Sequence, residues 1–252
     1  MDKAERMALV LEHMVSKGVP CGVTEISKQL KISKSSIGRV LTALENIRWV
    51  DQLPDSKYAI SDKLLELSLA LISGLDIRKV SLPFLDELNI KTKETAALTV
   101  RADFDDICIE QSQSHNPVRH VVTMGKRLPL WTGSTGKVIL ANLDSNEIDE
   151  VLNNLEKAGN LVLASGQVTT TESLRAELNE IRRCGYAISS SERFPGTASV
   201  AAPIFNSRQK VIGSVLLTGP LPRFNKKLAR NHSSSVVQAA RNISLRLGAT
   251  HH

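Results

Sequence analysis

Two short apolar runs of helical period, Ile26 with Leu30 and then Ile37, Val40, Leu41 and Leu44, are interrupted by Lys31-Ile32-Ser33. Two helices meeting across so tight a turn need a third element to close a core. Upstream, Met7, Val10, Leu11 and Met14 recur at the same period and stop at Lys17-Gly18, with Pro20 just beyond, the pattern of a first helix and its end. Thr24 is the expected cap of the second helix and Ser33 of the third. Trp49-Val50-Asp51 and Lys57-Tyr58-Ala59-Ile60 then flank the turn residues Leu53-Pro54-Asp55-Ser56, so a hairpin follows the helix-turn-helix.

The stretch Ile26 to Leu44 carries Lys28, Lys31, Lys34 and Arg39 and no acid. A helix with short hydroxyl residues and a cation on its N-terminal exposed face fits the major groove, where hydroxyls and Arg reach base edges and Lys meets phosphate. By itself the basic run reads equally as a solvated face. Turn, acid-free face and hairpin together point to duplex DNA.

The rest of the 252 residues is long enough for a second domain. From Ser61, an expected cap, Leu64, Leu67 and Leu71 form one stripe and Leu65, Leu69 and Ile72 another. A helix apolar on two faces is either buried within its chain or packs its own domain on one side and a second subunit on the other. Beyond Pro83 the pattern turns to strands: Ala96 to Arg101, Ile107 to Gln111, Arg119 to Thr123, Gly185 to Ser189, Ser199 to Phe205 and Val211 to Thr218. Helices are expected over Ser145 to Leu155 and Thr171 to Cys184, and around Val236, Ala240, Ile243 and Leu247. Strands and helices so interleaved make an α/β domain, and the whole chain α+β.

Gly133-Ser134-Thr135-Gly136-Lys137 precedes the apolar run Val138-Ile139-Leu140 and should open a helix, whose free N–H groups attract anions. It is no Walker loop, because Trp131 and Val138 stand where Gly and Ser or Thr are required. An ordinary glycine-rich helix start without ligand is the competing reading.

The net charge of +6 suits an anionic partner, and residues 193–252 hold nine Lys or Arg against no acid. That excess reads as a second nucleic-acid surface or, by preference, as the complement of an acidic neighbouring subunit in a tetramer. Three widely spaced cysteines, Cys21, Cys108 and Cys184, read as buried thiols rather than metal ligands. Asp103, Asp105 and Asp106 near His115 and His120 could serve acid–base or metal chemistry, but Asp there reads first as a turn former and no nucleophile motif accompanies it. No enzyme, cofactor or metal is expected. His251-His252 reads as a loose end. With no apolar run of membrane length and no secretory h-region, the expected location is the cytoplasm.

Glu25-Ile26-Ser27, Ser33-Lys34-Ser35-Ser36-Ile37-Gly38-Arg39-Val40-Leu41, Lys57-Tyr58 and Leu64-Leu65-Glu66-Leu67 resemble the winged helix-turn-helix of the IclR family of bacterial transcriptional regulators. Arg127-Leu128-Pro129-Leu130 with Gly133 to Ala141, and Ala201-Ala202-Pro203-Ile204-Phe205 with Gly213 and Thr218-Gly219-Pro220, resemble the family's effector domain. The resemblance implies a DNA-binding domain over 1–62, a dimerising linker helix over 63–78 and a GAF-like α/β effector domain over 79–252. Its implied DNA contacts are Thr24, Lys28, Ser33, Lys34, Ser35, Ser36, Arg39, Lys57 and Tyr58. Its implied effector contacts are Ser134, Thr135, Gly136, Ser189, Ser191, Glu192, Ser199 and Thr218. Serines in Ser189-Ser190-Ser191 and an apolar Leu216 fit a pyruvate-like effector poorly; they suit a sugar acid, its hydroxyls on serines and Glu192, its carboxylate on Arg193 or the start at Gly133. The partners implied are operator DNA, a small carboxylate and a second copy of the chain. The competing reading is a ligand-sensing adaptor whose winged helix binds protein.

Overall fold

The computed structural model describes residues 2–74, 76–159 and 161–250, with side chains left aside at 69–74 and 76. It divides into two compact units, Met1–Gly74 and Leu75–His252.

In the first unit α1 (Lys3–Lys17) opens on a capping box between Asp2 and Glu5 and closes on Gly18 in the left-handed region, φ 68°, where glycine carries no Cβ penalty. α2 (Val23–Leu30) is capped by Gly22, so Thr24 lies inside the helix and not at its cap. α3 (Lys34–Asn46) begins as expected, the Ser33 hydroxyl accepting from the Ser36 N–H. β1 (Val50–Gln52) and β2 (Tyr58–Ile60) pair antiparallel. Cys21 and Tyr58 exchange both backbone hydrogen bonds at 2.9 Å, tying the wing to the α1–α2 link. Val10, Met14, Ile26, Ile37, Leu41, Leu44 and Tyr58 form one core. α4 (Asp62–Gly74) follows, the Ser61 hydroxyl donating to the Arg48 carbonyl. Leu65 and Leu67 on α4 are exposed; the side chains of Leu69, Leu71 and Ile72 lie outside those described.

The second unit opens with α5 (Asp76–Thr92), which contains Pro83. The sequence reading, with a linker helix to 78 and strands beyond Pro83, had no place for it. Proline costs a helix its N–H, and here the helix is held by Leu85 and Leu88, which join the core on one face of the sheet. Next come β3 (Thr95–Ala102), β4 (Asp105–Ser112), β5 (Arg127–Pro129), α6 (Gly133–Leu140), α7 (Ser145–Ala158), β6 (Leu161–Val162), β7 (Val168–Thr169), α8 (Thr171–Cys184), β8 (Ala187–Ser190), β9 (Thr197–Phe205), β10 (Val211–Pro220), α9 (Lys226–Asn231) and α10 (Ser233–Arg246). Six strands form one antiparallel sheet in the order β5-β4-β3-β10-β9-β8. Its alternation sorts the core: Ala97, Ala201 and Leu216 join α6, α7 and α8 on one face, while Leu98, Val200, Val215 and Leu217 join α5 and α10 on the other.

The strand expected over Arg119–Thr123 does not form. The Gln111 side chain replaces it as a pairing partner, donating from Nε2 to the Val122 carbonyl (2.9 Å) and accepting the Val122 N–H at Oε1 (3.0 Å). Cys184 is half-buried, unlike Cys21 and Cys108. The terminal His251 and His252 lie outside the described residues, and among those described no helix is long and apolar enough to cross a membrane.

Candidate functional site

On the first unit, Thr24, Lys28, Lys31, Ser33, Lys34, Ser35 and Arg39 are exposed and Ser36 is half-buried. Among the described residues Lys28, Lys31, Lys34 and Arg39 enter no ion pair, so their charge faces water undiminished. Ser33 gathers the start of α3: its Oγ donates to Ser36 Oγ (3.0 Å) and lies 3.3 Å from Ser35 Oγ. Two of the expected contacts differ. The Tyr58 ring is buried in the core, because its strand position faces the helices, so it supports the wing rather than reaching outward. Lys57 on the wing is exposed but holds Asp55 at 2.9 Å, which offsets part of its charge.

On the second unit a cavity lies between the first turn of α6, the sheet face beneath it, the loop carrying His120 and Lys126, and the Ser191–Gly196 turn that joins β8 to β9. The expected hydroxyls converge there. Ser199 Oγ lies 2.7 Å from Ser134 Oγ and 2.9 Å from Ser189 Oγ, a continuous chain from α6 across β9 to β8. Thr218 Oγ1 donates to the Ala198 carbonyl at 3.0 Å and lies 3.1 Å from His120 Nδ1. The period of two explains the convergence, since Ser199 lies two residues from Ala201 and Thr218 two from Leu216, all on the α6 face.

The α6 start attracts an anion as expected, but the anion is internal: the Gly133 N–H donates to Glu192 Oε2 at 2.9 Å. The other oxygen of Glu192 accepts from Lys137 Nζ at 2.8 Å, and Lys137, 3% exposed, is also held by Glu177 at 2.5 Å. Arg193 lies beside them. Its Nη2 is 2.9 Å from Asp106 Oδ1 and donates to the Pro129 carbonyl at 2.7 Å, while Nη1 donates to Thr135 Oγ1 at 2.8 Å and to Asp106 Oδ2 at 3.2 Å. The two glycines of the motif make room for it: a Cβ at Gly133 would stand 2.5 Å from Arg193 Nε, and one at Gly136 2.5 Å from Nη2 and 2.8 Å from Leu130 backbone. Gly136 therefore seats Arg193 and does not line the cavity. Nor does Ser191, whose Oγ accepts the Gly196 N–H at 3.1 Å and closes the turn.

Sequence reasoning missed Asp106, Cys108, Thr99 and His120 as cavity residues. Periodicity placed Ile107 and Cys108 on a strand but gave no sign of which face would meet α6. Burial pushes the Cys108 thiol up to about 12 and holds the His120 imidazole below its ordinary value, so both are neutral near pH 7. Lys126 at the mouth is exposed and has no ion partner among the described residues. Arg223, in the basic C-terminal stretch, pairs with Glu94 at 2.5 Å, and Lys210 with Asp144 at 2.6 Å. Part of that excess charge is thus used within the chain. Among the described residues no cluster of His, Cys, Asp and Glu could hold a metal.

Residues 4–54 match the model of the IclR helix-turn-helix domain and residues 69–245 that of the bacterial transcriptional regulator IclR C-terminal domain. The chain is 29% identical over 228 residues to the HTH-type transcriptional regulator KdgR of Escherichia coli, covering 90% of this chain and 86% of that one. It is 28% identical over 247 residues to the HTH-type transcriptional repressor AllR of Klebsiella pneumoniae, covering 97% and 89%. Among solved structures, an IclR homologue of Microbacterium hydrocarbonoxydans in complex with 4-hydroxybenzoate superposes with a TM-score of 0.85 at 23% identity, covering 99% of this chain and 100% of that one.

Proposed function

Since the chain belongs to the IclR family of bacterial transcriptional regulators, we propose that it is a sequence-specific repressor of a catabolic operon, released or retained on its operator by a small carboxylate. We read residues 1–62 as the DNA-binding domain, 63–78 as the dimerising linker and 79–252 as the effector domain. α3 enters the major groove with Ser35, Ser36 and Arg39 on base edges and Lys34 on phosphate, while Lys28 and Lys57 meet neighbouring backbone. The repressor sense follows AllR, which carries that name. The carboxylate has its precedent in the 4-hydroxybenzoate complex of the structural neighbour.

The observation that carries the effector class is the hydroxyl chain Ser134–Ser199–Ser189, with Thr218 beside it. A row of donor–acceptor oxygens on one sheet face matches a row of hydroxyls on a ligand, and the unpaired Lys126 at the mouth draws anions towards it. A sugar acid, an aldonate such as xylonate, combines both. A genome-wide binding map identifies the operator, and a mobility shift on that duplex with an aldonate, the matching aldose and pyruvate decides the effector class. The aldonate should change operator affinity by the 5- to 150-fold typical of allosteric coupling, about 1–3 kcal/mol. Equal action of the aldose would remove the carboxylate from the reading.

The exposed Leu65 on α4, with exposed Val15 and Val19 beside the same apolar hollow of the first unit, supports a dimer formed through this surface, and Leu67, exposed on the other stripe of α4, offers a second face. A dimer sets two recognition helices on adjacent half-sites.

A further inference from the structure

The cavity under the Ser191–Gly196 turn has a free volume of about 50 Å³, well below the roughly 300–1,000 Å³ of ordinary small-molecule sites. No sugar acid enters it without something leaving. What fills the space is the turn's own pair of charged side chains. Glu192 holds the Gly133 N–H and the buried Lys137, and Arg193 lies in the seat made by the missing Cβ atoms of Gly133 and Gly136. Resting on the reading of this cavity as the effector site, we propose that Glu192 and Arg193 are its resident occupants and its specificity determinants. A ligand carboxylate takes over the place of the Glu192 carboxylate on Gly133 N–H and Lys137 Nζ, and the Ser191–Gly196 turn swings outward with Glu192, while the Arg193 side chain keeps its ion pair with Asp106.

Three features support the exchange. The turn is bounded by two residues in the left-handed region, Ser191 at φ 53° and Gly196 at φ 73°, and its neck is closed by the hydrogen bond from Ser191 N–H to the Thr197 carbonyl, 2.8 Å; an outward swing releases the backbone hydrogen bonds from Ala164 N–H to the Glu192 carbonyl and from Leu221 N–H to the Gly196 carbonyl, 2.8 Å each. The exchange conserves charge: one carboxylate replaces another beside Lys137, which is 3% exposed and keeps Glu177 throughout. Arg193 Nε is buried without a hydrogen-bond partner among the described residues, so the seat holds the arginine through Asp106, Thr135 and the Pro129 carbonyl with one donor left over. The device selects its ligand class: a hydroxylated carboxylate replaces one anion with another, whereas a neutral sugar leaves the Gly133 N–H without its anion and Lys137 with Glu177 alone.

Hydrogen exchange with mass readout on the full-length protein tests this, with D-gluconate and D-glucose as probes. Without ligand, Glu192→Gln and Arg193→Ala should both speed exchange in peptides spanning 131–137 and 190–197 and leave β3 and β10 unchanged; wild-type rates in Glu192→Gln overturn the proposal, even if Arg193→Ala fails to fold. With gluconate, the 190–197 peptide should exchange faster in the wild type. In Glu192→Gln calorimetry should find gluconate bound about tenfold more tightly, since an equilibrium that leaves the open form at 0.1–10% lowers apparent affinity by that fraction. Added protection of 190–197 by gluconate means a ligand bound beneath a closed turn and overturns the exchange. Failure of every carboxylate to bind either protein removes the effector class proposed above, and the ligand-free rates then judge the occupancy of the cavity by themselves.

Discussion

Arg193 and Asp106 meet at 2.9 Å with the arginine side chain 11% and the aspartate 2% exposed, a buried ion pair formed across 87 residues of chain. Removing one partner of such a pair strands the other's charge in a low-dielectric site. Asp106→Ala should cost about 3–5 kcal/mol of stability, read by urea denaturation. The double variant Asp106→Ala with Arg193→Met should cost less than the sum of the single changes; additivity would mean that the two side chains are held independently.

Arg39→Ala should lose about 1–3 kcal/mol of discrimination between operator and scrambled duplex, whereas Lys34→Ala should weaken both alike and lower the salt slope. Fluorescence anisotropy at two salt concentrations separates them. Unchanged discrimination in Arg39→Ala would take that residue out of base readout.

Leu65 and Leu67 are 54% and 44% exposed, so Leu65→Glu or Leu67→Glu should cost the isolated subunit little. If either meets a second copy, an unpaired carboxylate there should split the assembly. Sedimentation should then show half the wild-type mass for at least one variant, with an unaltered circular dichroism spectrum. Wild-type mass in both would place the interface elsewhere.

Burial holds His120 below its ordinary value of 6.5 and does the same to His232. Neutral imidazole is favoured in the folded state, so as pH falls through the ordinary value the unfolded chain binds the extra protons. Stability is therefore full above about pH 7 and declines as pH drops through the mid-6 range towards the lower folded values. His120→Asn should flatten part of that decline in melting temperature between about pH 7.5 and about pH 5.5, above the range in which ordinary carboxylates titrate. An unchanged slope would show that His120 is not its source.

Local signals carried much of this fold. α8 was readable to the residue because Thr170 caps it and Gly185, φ 77°, ends it, and α3 because Ser33 does its capping through a side chain. Pro83 concealed α5, since a missing N–H is visible in sequence while the core that tolerates it is not. The site was legible where it is local. Ser134, Ser189, Ser199 and Thr218 reach the cavity as expected. Gly133 and Gly136 read in sequence as a helix start that attracts an anion, and what their missing Cβ atoms admit is Arg193 from the β8–β9 turn, a partner that only the assembled sheet reveals. Asp106 and His120 join for the same reason.

β10 lies between β3 and β9 at the centre of the sheet, and Thr99 on β3 meets Ser214 on β10 across 115 residues. Closing so long a loop must precede the reward of pairing, whereas the first unit is built from near neighbours. On the ribosome, where chains emerge N-terminus first, the DNA-reading half can be complete while the other still lacks its central strand and the Thr218 wall of its cavity. The contacts of the first unit can thus form before residues 211–220, the strand that pairs with 95–102, have been made.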